Sequence, residues 1–216
     1  MPSLSKVGSE MLDGALPAIS GASLTNLDAR DLENALPAID GSSLTGVGVT
    51  GITSSANATA ISISSDEEVT MPLQPAFMAN AGGNVYNVTG DGTTHTVAWT
   101  SPIYDIGSNH SGTTFTAPIT GKYLICASVH IGNATGSGTP TAMGSNIVTS
   151  NRTYGNFYWS ASIDNGTTRT IKNTAVADMD AADTVTITTR VADMSSDVVD
   201  LENGNGYDYL TVTLIA

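Results

Sequence analysis

The sequence predicts an all-β protein, and three observations carry that expectation. The run Tyr123–His130 alternates strictly, with Tyr123, Ile125, Ala127 and Val129 on one side and Leu124, Cys126, Ser128 and His130 on the other. That is the period of a strand with two different faces. Charged residues are only 12% of the chain, about half the usual share, and Gly, Ser, Thr and Asn take their place. Turn-forming clusters such as Ala81–Asn84 and Thr89–Gly92 separate the short runs. Aromatics at 6% and an abundance of small residues argue against a helical bundle.

With 216 residues the chain has room for one domain plus a tail, or for two small domains. We divide it into an N-terminal segment, 1–70, and a head domain, 71–216. From Leu12 a unit appears: LDGALPAISGASLTNL at 12–27 recurs as LENALPAIDGSSLTGV at 32–47, offset by 20 residues. Pro17 and Pro37 forbid a regular helix through the shared core of the unit. Residues 26–34 suit a short helical turn, and the leucine spacing also suits a narrow β-coil. Two copies are too short to bury their own apolar residues, which are Leu16, Ile19, Leu24, Leu36, Ile39 and Leu44. These six residues are expected to form an attachment arm that lies on a partner surface.

Gly46–Gly51 reads as a glycine-rich hinge or an extended run. Ala60–Ser64 alternates as a short strand with Ile61 and Ile63 on one face, and Asp66–Glu68 closes it with charge. Met71-Pro72-Leu73-Gln74-Pro75 makes a stiff linker into the head, whose first strand is Pro75–Ala79. Gly132–Gly144 is a long loop. Arg152–Ser162 holds the densest aromatic cluster, and Thr184–Val191 and Tyr209–Ile215 alternate as strands that finish the sheets.

Two resemblances follow from these residues. Phe115-Thr116-Ala117-Pro118 followed by Gly121-Lys122-Tyr123 resembles the Phe-x-Ala-Pro-x-x-Gly-x-Tyr core of the complement-head and tumour-necrosis-factor superfamily. Val97–Trp99, Ile103–Asp105 and the Ala161–Gly166 turn are similar to flanking segments of that family. Asp178–Thr186 is similar to its strand start, with Ala182 in place of the usual Gly. Gly206–Leu210 falls at the family's closing strand. The likeness spans about Met71 to Ala216 and implies a ten-stranded jelly-roll β-sandwich that assembles as a trimer. It implies a trimer interface at Tyr207 and Tyr209 on the last strand, and we add Tyr123 to that set. The second resemblance covers Leu12 to Val69. Its Leu-Pro-Ala-Ile-x-Gly units look like the repetitive segments that precede a C-terminal knob in bacteriophage tail-fibre and virion-appendage proteins. No G-X-Y run occurs, so the collagen stalk of animal complement-head proteins is missing.

The formal net charge is −13, and the seven basic residues are scattered singly. No basic stripe exists to neutralise phosphates, which excludes nucleic acid as a partner. No run approaches the ~20 apolar residues that span a bilayer, and the N-terminus lacks the apolar core of a signal peptide. The product is therefore expected to be made in the host cytoplasm and to end on the virion surface, without membrane insertion. Cys126 is the sole cysteine, so no internal disulfide forms, and it reads as an inert core thiol.

Catalysis is not expected. His95, His110 and His130 lack metal spacing and nucleophile motifs, and no cofactor is called for. Asp178, Asp180 and Asp183 could offer oxygens to calcium, but they lack the glycine and terminal glutamate of a calcium loop; a solvated turn is the competing reading. Tyr154, Tyr158 and Trp159 can stack on sugar faces or fill a core. The expectation is a homotrimeric, non-enzymatic phage fibre or appendage. Its arm binds other virion proteins of capsid or tail, and its knob faces outward towards a host-surface glycan or protein. The alternative is a capsid-decorating (cement or head-fibre) protein held to the capsid lattice by the same arm.

Overall fold

The computed structural model describes residues 60–132, 139–159, 168–202 and 206–216. The arm residues Leu16, Ile19, Leu24, Leu36, Ile39 and Leu44, the Ala161–Gly166 turn and the side chain of Trp159 lie outside this set. The chain divides into two units at Ser55/Ala56, and everything described belongs to the second.

Strands account for all of the regular structure among the described residues. A two-stranded hairpin, β1 (Ser62–Ile63) with β2 (Val69–Thr70), comes first. Then follow β3 (Ala76–Asn80), β4 (Val85–Thr89), β5 (Thr94–Thr96), β6 (Ser101–Ile106), β7 (His110–Ser111) and β8 (Thr114–Thr116). The long strands are β9 (Gly121–Gly132), β10 (Ala142–Thr149), β11 (Thr153–Trp159), β12 (Arg169–Met179) and β13 (Thr184–Ala192). The short β14 (Val199–Leu201) and the closing β15 (Tyr209–Leu214) complete the chain.

These strands form two sheets stacked as a jelly roll. In one sheet β9 pairs with β12 on one side, and on the other with β15 and then β14; β15 leads on to β3 and β6, and β14 to β4. In the other sheet β13 is central, with β10 and then β11 on one side and β8 and β5 on the other. All these pairings are antiparallel, and the chain crosses between sheets at β4–β5, β5–β6, β6–β7, β8–β9, β9–β10, β11–β12, β12–β13 and β13–β14. A double-sheet sandwich buries one face of each sheet and leaves the other free. The expected alternation of β9 is present: Tyr123, Ile125, Ala127, Val129 and Ile131 are buried between the sheets. Ile171, Ala177 and Met179 of β12, Val185 and Ile187 of β13, and Met143 and Ile147 of β10 meet them. Polar links also cross this interior, among them one between β12 and β10. The Asn173 amide donates to the Ser145 carbonyl (2.8 Å) and hydroxyl (2.7 Å), tying β12 to β10.

The Phe115–Tyr123 motif fixes one end of the sandwich. Phe115 is fully buried, and its ring meets the edge of Tyr123 at 6.0 Å. The Tyr123 hydroxyl donates to the Ile119 carbonyl at 2.8 Å and so closes its own turn. Ala117 is bonded on both sides to the next turn, its NH donating to Asp183 O and its carbonyl accepting from Ala182 NH, each at 2.8 Å. Gly121 has no side chain because the C-terminus passes over it: a Cβ there would lie 2.6 Å from the Ala216 carbonyl oxygen. Tyr123 is thus a core residue. Its assignment to the trimer interface is corrected, because a side chain 0% exposed in the single chain has nothing to offer a neighbour.

Ala182 occupies the left-handed region at φ 74°, where an L side chain costs roughly 1–2 kcal/mol. Ala182→Gly relieves that strain and gives back part of it through a freer unfolded chain. The expected outcome in urea denaturation is a gain of about 0.5–1 kcal/mol; a loss would show that the turn is not strained.

Candidate functional site

The outer face of the β9 sheet is continuous and uncharged over five strands. Pairing places Val176, Leu124, Thr213, Ala76 and Ile106 in one row across β12, β9, β15, β3 and β6. Thr174, Cys126, Thr211, Met78 and Tyr104 form the next row. In β12, β9, β15 and β3 the opposite side of the strand is committed to the core, so these side chains look outward, and β6 continues the rows at the sheet edge. Val176 and Tyr104 are 52% and 41% exposed, and the central ones are half-buried among each other. Cys126 lies in the middle of this face, half-buried, rather than in the core where the sequence placed it. Charge appears only at the margins. On one side Lys122 and Asp178 make an exposed ion pair at 3.3 Å, which contributes little to stability; on the other stands Lys172. Uncharged centres with charged rims mark protein interfaces.

Beyond Lys172 the face ends in a polar cluster. Tyr209 pairs with Ser128. Tyr207, 54% exposed, stacks on the His130 ring at a centroid distance of 5.0 Å. Both tyrosines expected at an interface therefore lie on this side of the sheet. The His130 Nδ1 meets the Thr170 hydroxyl at 2.8 Å, and Nε2 is 3.8 Å from the Glu202 carboxylate. That order of hydroxyl, imidazole and carboxylate is reminiscent of a catalytic relay. At 3.8 Å, however, the carboxylate is beyond hydrogen-bond reach, so it does not orient the ring as a base. The cluster holds the strand ends in place.

Asp208 sits beneath this cluster, 4% exposed. One carboxylate oxygen accepts the His130 backbone NH; the other, Oδ2, is buried without a hydrogen-bond partner. Burial lifts its pKa from 3.8 to about 6, against the opposing pull of the His130 NH. No sequence pattern announced this residue, because an aspartate before a strand ordinarily reads as a turn.

The three aspartates weighed for calcium are spent on local structure. Asp178 pairs with Lys122. Asp183 accepts from Asn151 Nδ2 at 2.7 Å and from the Asp180 NH at 2.9 Å, and Asp180 accepts from Thr120 Oγ1 at 3.4 Å. Among the described residues no three acidic, histidine or cysteine side chains converge to hold a metal, which corrects the calcium candidates Asp178, Asp180 and Asp183. The aromatic cluster is divided. Tyr154 packs against the core from the β11 edge, while Tyr158 is 49% exposed.

No family model matches the chain, and no curated protein matches it. Solved structures do. Murine APRIL at pH 8.5 is similar at 13% identity and a TM-score of 0.46, over 66% of this chain and 99% of that one. The globular domain of zebrafish complement 1qA protein is similar at 11% identity and TM-score 0.45, over 66% and 98%. Eiger TNF from S. frugiperda stands at 16% and 0.47, over 67% and 92%. Likeness at this level establishes neither family membership nor a shared partner.

The buried carboxyl makes stability depend on pH. Between 3.8 and about 6 the folded chain keeps a proton on Asp208 that the unfolded chain has lost. Stability from this group is therefore complete below 3.8 and is lost as pH rises through 6. Burial lowers the pKa of His95 and His110, which act in the opposite direction on acidification. The contribution of Asp208 is accordingly read as the difference between wild type and Asp208→Asn. That difference should change by up to about 3 kcal/mol between about pH 7.5 and pH 4 in urea titrations, with the variant the more stable at the higher pH. A difference that stays flat would place the carboxyl in a solvated site.

Proposed function

We propose that this chain is a homotrimeric, non-enzymatic surface component of a phage virion. The N-terminal repeats attach it to the particle, and the jelly-roll knob faces outward for host-surface binding. The trimer rests on one observation above all, the uncharged face centred on Cys126 and Thr211. A two-sheet sandwich needs only its inner faces for folding, so Leu124, Met78, Ile106 and Val176 gain nothing by standing outside unless another surface covers them. The virion role rests on the Leu-Pro-Ala-Ile-x-Gly repeats, whose apolar residues recur in phase at 20 residues and call for a partner.

The alternative within the same reading is a capsid-decorating protein, with the repeats bound to the capsid lattice. The two differ only in where the arm attaches. Particles labelled by an antibody against the knob and imaged by electron cryomicroscopy separate them. Label confined to the tail supports the fibre, label over the capsid lattice supports decoration, and unlabelled particles sink both. A chain lacking residues 1–55 should keep the mass of a trimer and no longer join particles.

A charge in the middle of the face tests the assembly directly. Thr211→Arg should leave the circular dichroism of the sheets intact and shift the mass measured by light scattering from three chains to one, because an unpaired charge buried at a contact costs several kcal/mol or more. A variant that remains trimeric would remove this face from the interface.

A further inference from the structure

We infer that the apolar groove at the base of the knob seats the β1–β2 hairpin of a neighbouring copy of this chain, so that protomers are joined by a short exchanged arm. This rests on the trimeric reading and names a second contact for it.

The groove has a volume of about 400 Å³ and is lined by Met71, Leu73, Ile119, Leu214 and Ile215, with Ala60 at the root of the chain's own hairpin also in its wall. Leu73 is 62% exposed, Met71 53%, Ile215 49% and Ile119 48%, so the single chain leaves the groove open. A supply of apolar side chains lies at the same end of the molecule. Ile61, Ile63 and Val69 of the hairpin are 56%, 69% and 64% exposed, and no described residue of their own chain covers them. A two-stranded hairpin is marginal in water when it packs on nothing. Its turn is nevertheless well defined, with Ser64 Oγ accepting from the NH groups of Asp66 and Glu68 at 3.2 and 3.1 Å.

Position selects the occupant. The linker after the hairpin is pinned to the closing strand, the Leu214 NH donating to Pro75 O at 3.0 Å and the Gln74 amide to Leu214 O. Hairpin and groove are therefore held at the same level of the knob. Rotation about a threefold axis brings each hairpin to the level of the next copy's groove, which is the condition for a head-to-tail contact that closes into a ring. The carboxylates of Asp66, Glu67 and Glu68 at the hairpin tip, with a net charge of −13, disfavour an anionic lipid surface as the occupant.

The test uses the full chain with Cys126→Ser, Ile63→Cys and Ile119→Cys, oxidised and run on denaturing gels without reductant. Covalent dimers and trimers are the expected result. A disulfide within one chain, or none, overturns the exchange, as does interchain linkage by Ile63→Cys alone, which would mean that hairpins meet each other. Light scattering on the unmodified chain separates the two levels: a monomer removes the trimeric reading itself, while a trimer without cross-links removes only the exchanged arm. A second variant avoids any dependence on disulfide geometry. Ile61→Ser, Ile63→Ser and Val69→Ser together should raise the concentration at which the trimer dissociates by about tenfold or more, and an unchanged midpoint overturns the proposal.

Discussion

The turn between Phe115 and Tyr123 holds the two sheets to one another, and the rest of the structure depends on it. Its members act at one place but on three partners. The Tyr123 ring packs on Phe115 while its hydroxyl closes the turn on Ile119. The Ala117 backbone engages the Ala182–Asp183 turn that starts β13. Past Gly121, the Lys122 NH donates to the last carbonyl of the chain at 2.6 Å and its carbonyl accepts from the Ile215 NH at 2.8 Å. A strand from each sheet and the C-terminus thus share one anchor. Local sequence spacing creates it, but its contacts with the Ala182–Asp183 turn and the last residues are 65 to 94 residues away in the chain. Such non-local closure is slow to form and cooperative once formed.

With that end closed, the remaining design question is what covers the outer face of the β9 sheet. The inner residues of β9 are apolar or aromatic, and between Lys122 and His130 its outer positions are Leu124, Cys126 and Ser128, without charge. A face meant for solvent ordinarily carries Lys, Glu and Asp on alternate positions, as β12 does at Lys172 and Asp178. Its withdrawal from two adjacent rows is a compositional signal of contact. It is also the reason that a protein with so few charged residues can keep its acidic groups at the turns and rims.

Much of the fold was legible in the sequence because period-two alternation survives in β9, β13 and β15. The starts of β3, β13 and β15 fall within a residue of the positions read from alternation and turn residues, and β9 begins at Gly121, two residues before its alternating run. What alternation cannot say is which of two faces is inside. Tyr123 was assigned to a subunit contact and lies in the core, while Cys126, expected in the core, lies outside. Pairing partners decide this, and pairing is not a local property. β12 went unread for a related reason: its inner positions include Asn173 and two alanines, too weak a hydrophobic pattern to stand out. Asn173 is inside only because Ser145 is there to accept from it. The aspartates at 178, 180 and 183 had the composition of a ligand set, but the turn consumes their oxygens. Asp208 shows the reverse case, a residue without a pattern whose environment alone makes it unusual.

Cys126 gives the uncharged face one further property. On the trimeric reading proposed above, a thiol at the centre of the contact face is open to alkylating reagents in a lone chain and shielded in the complex. Under that reading the chain would carry an internal gauge of its own association, read by reaction rate at a single atom, with no label added and no other sulfhydryl to confuse the signal.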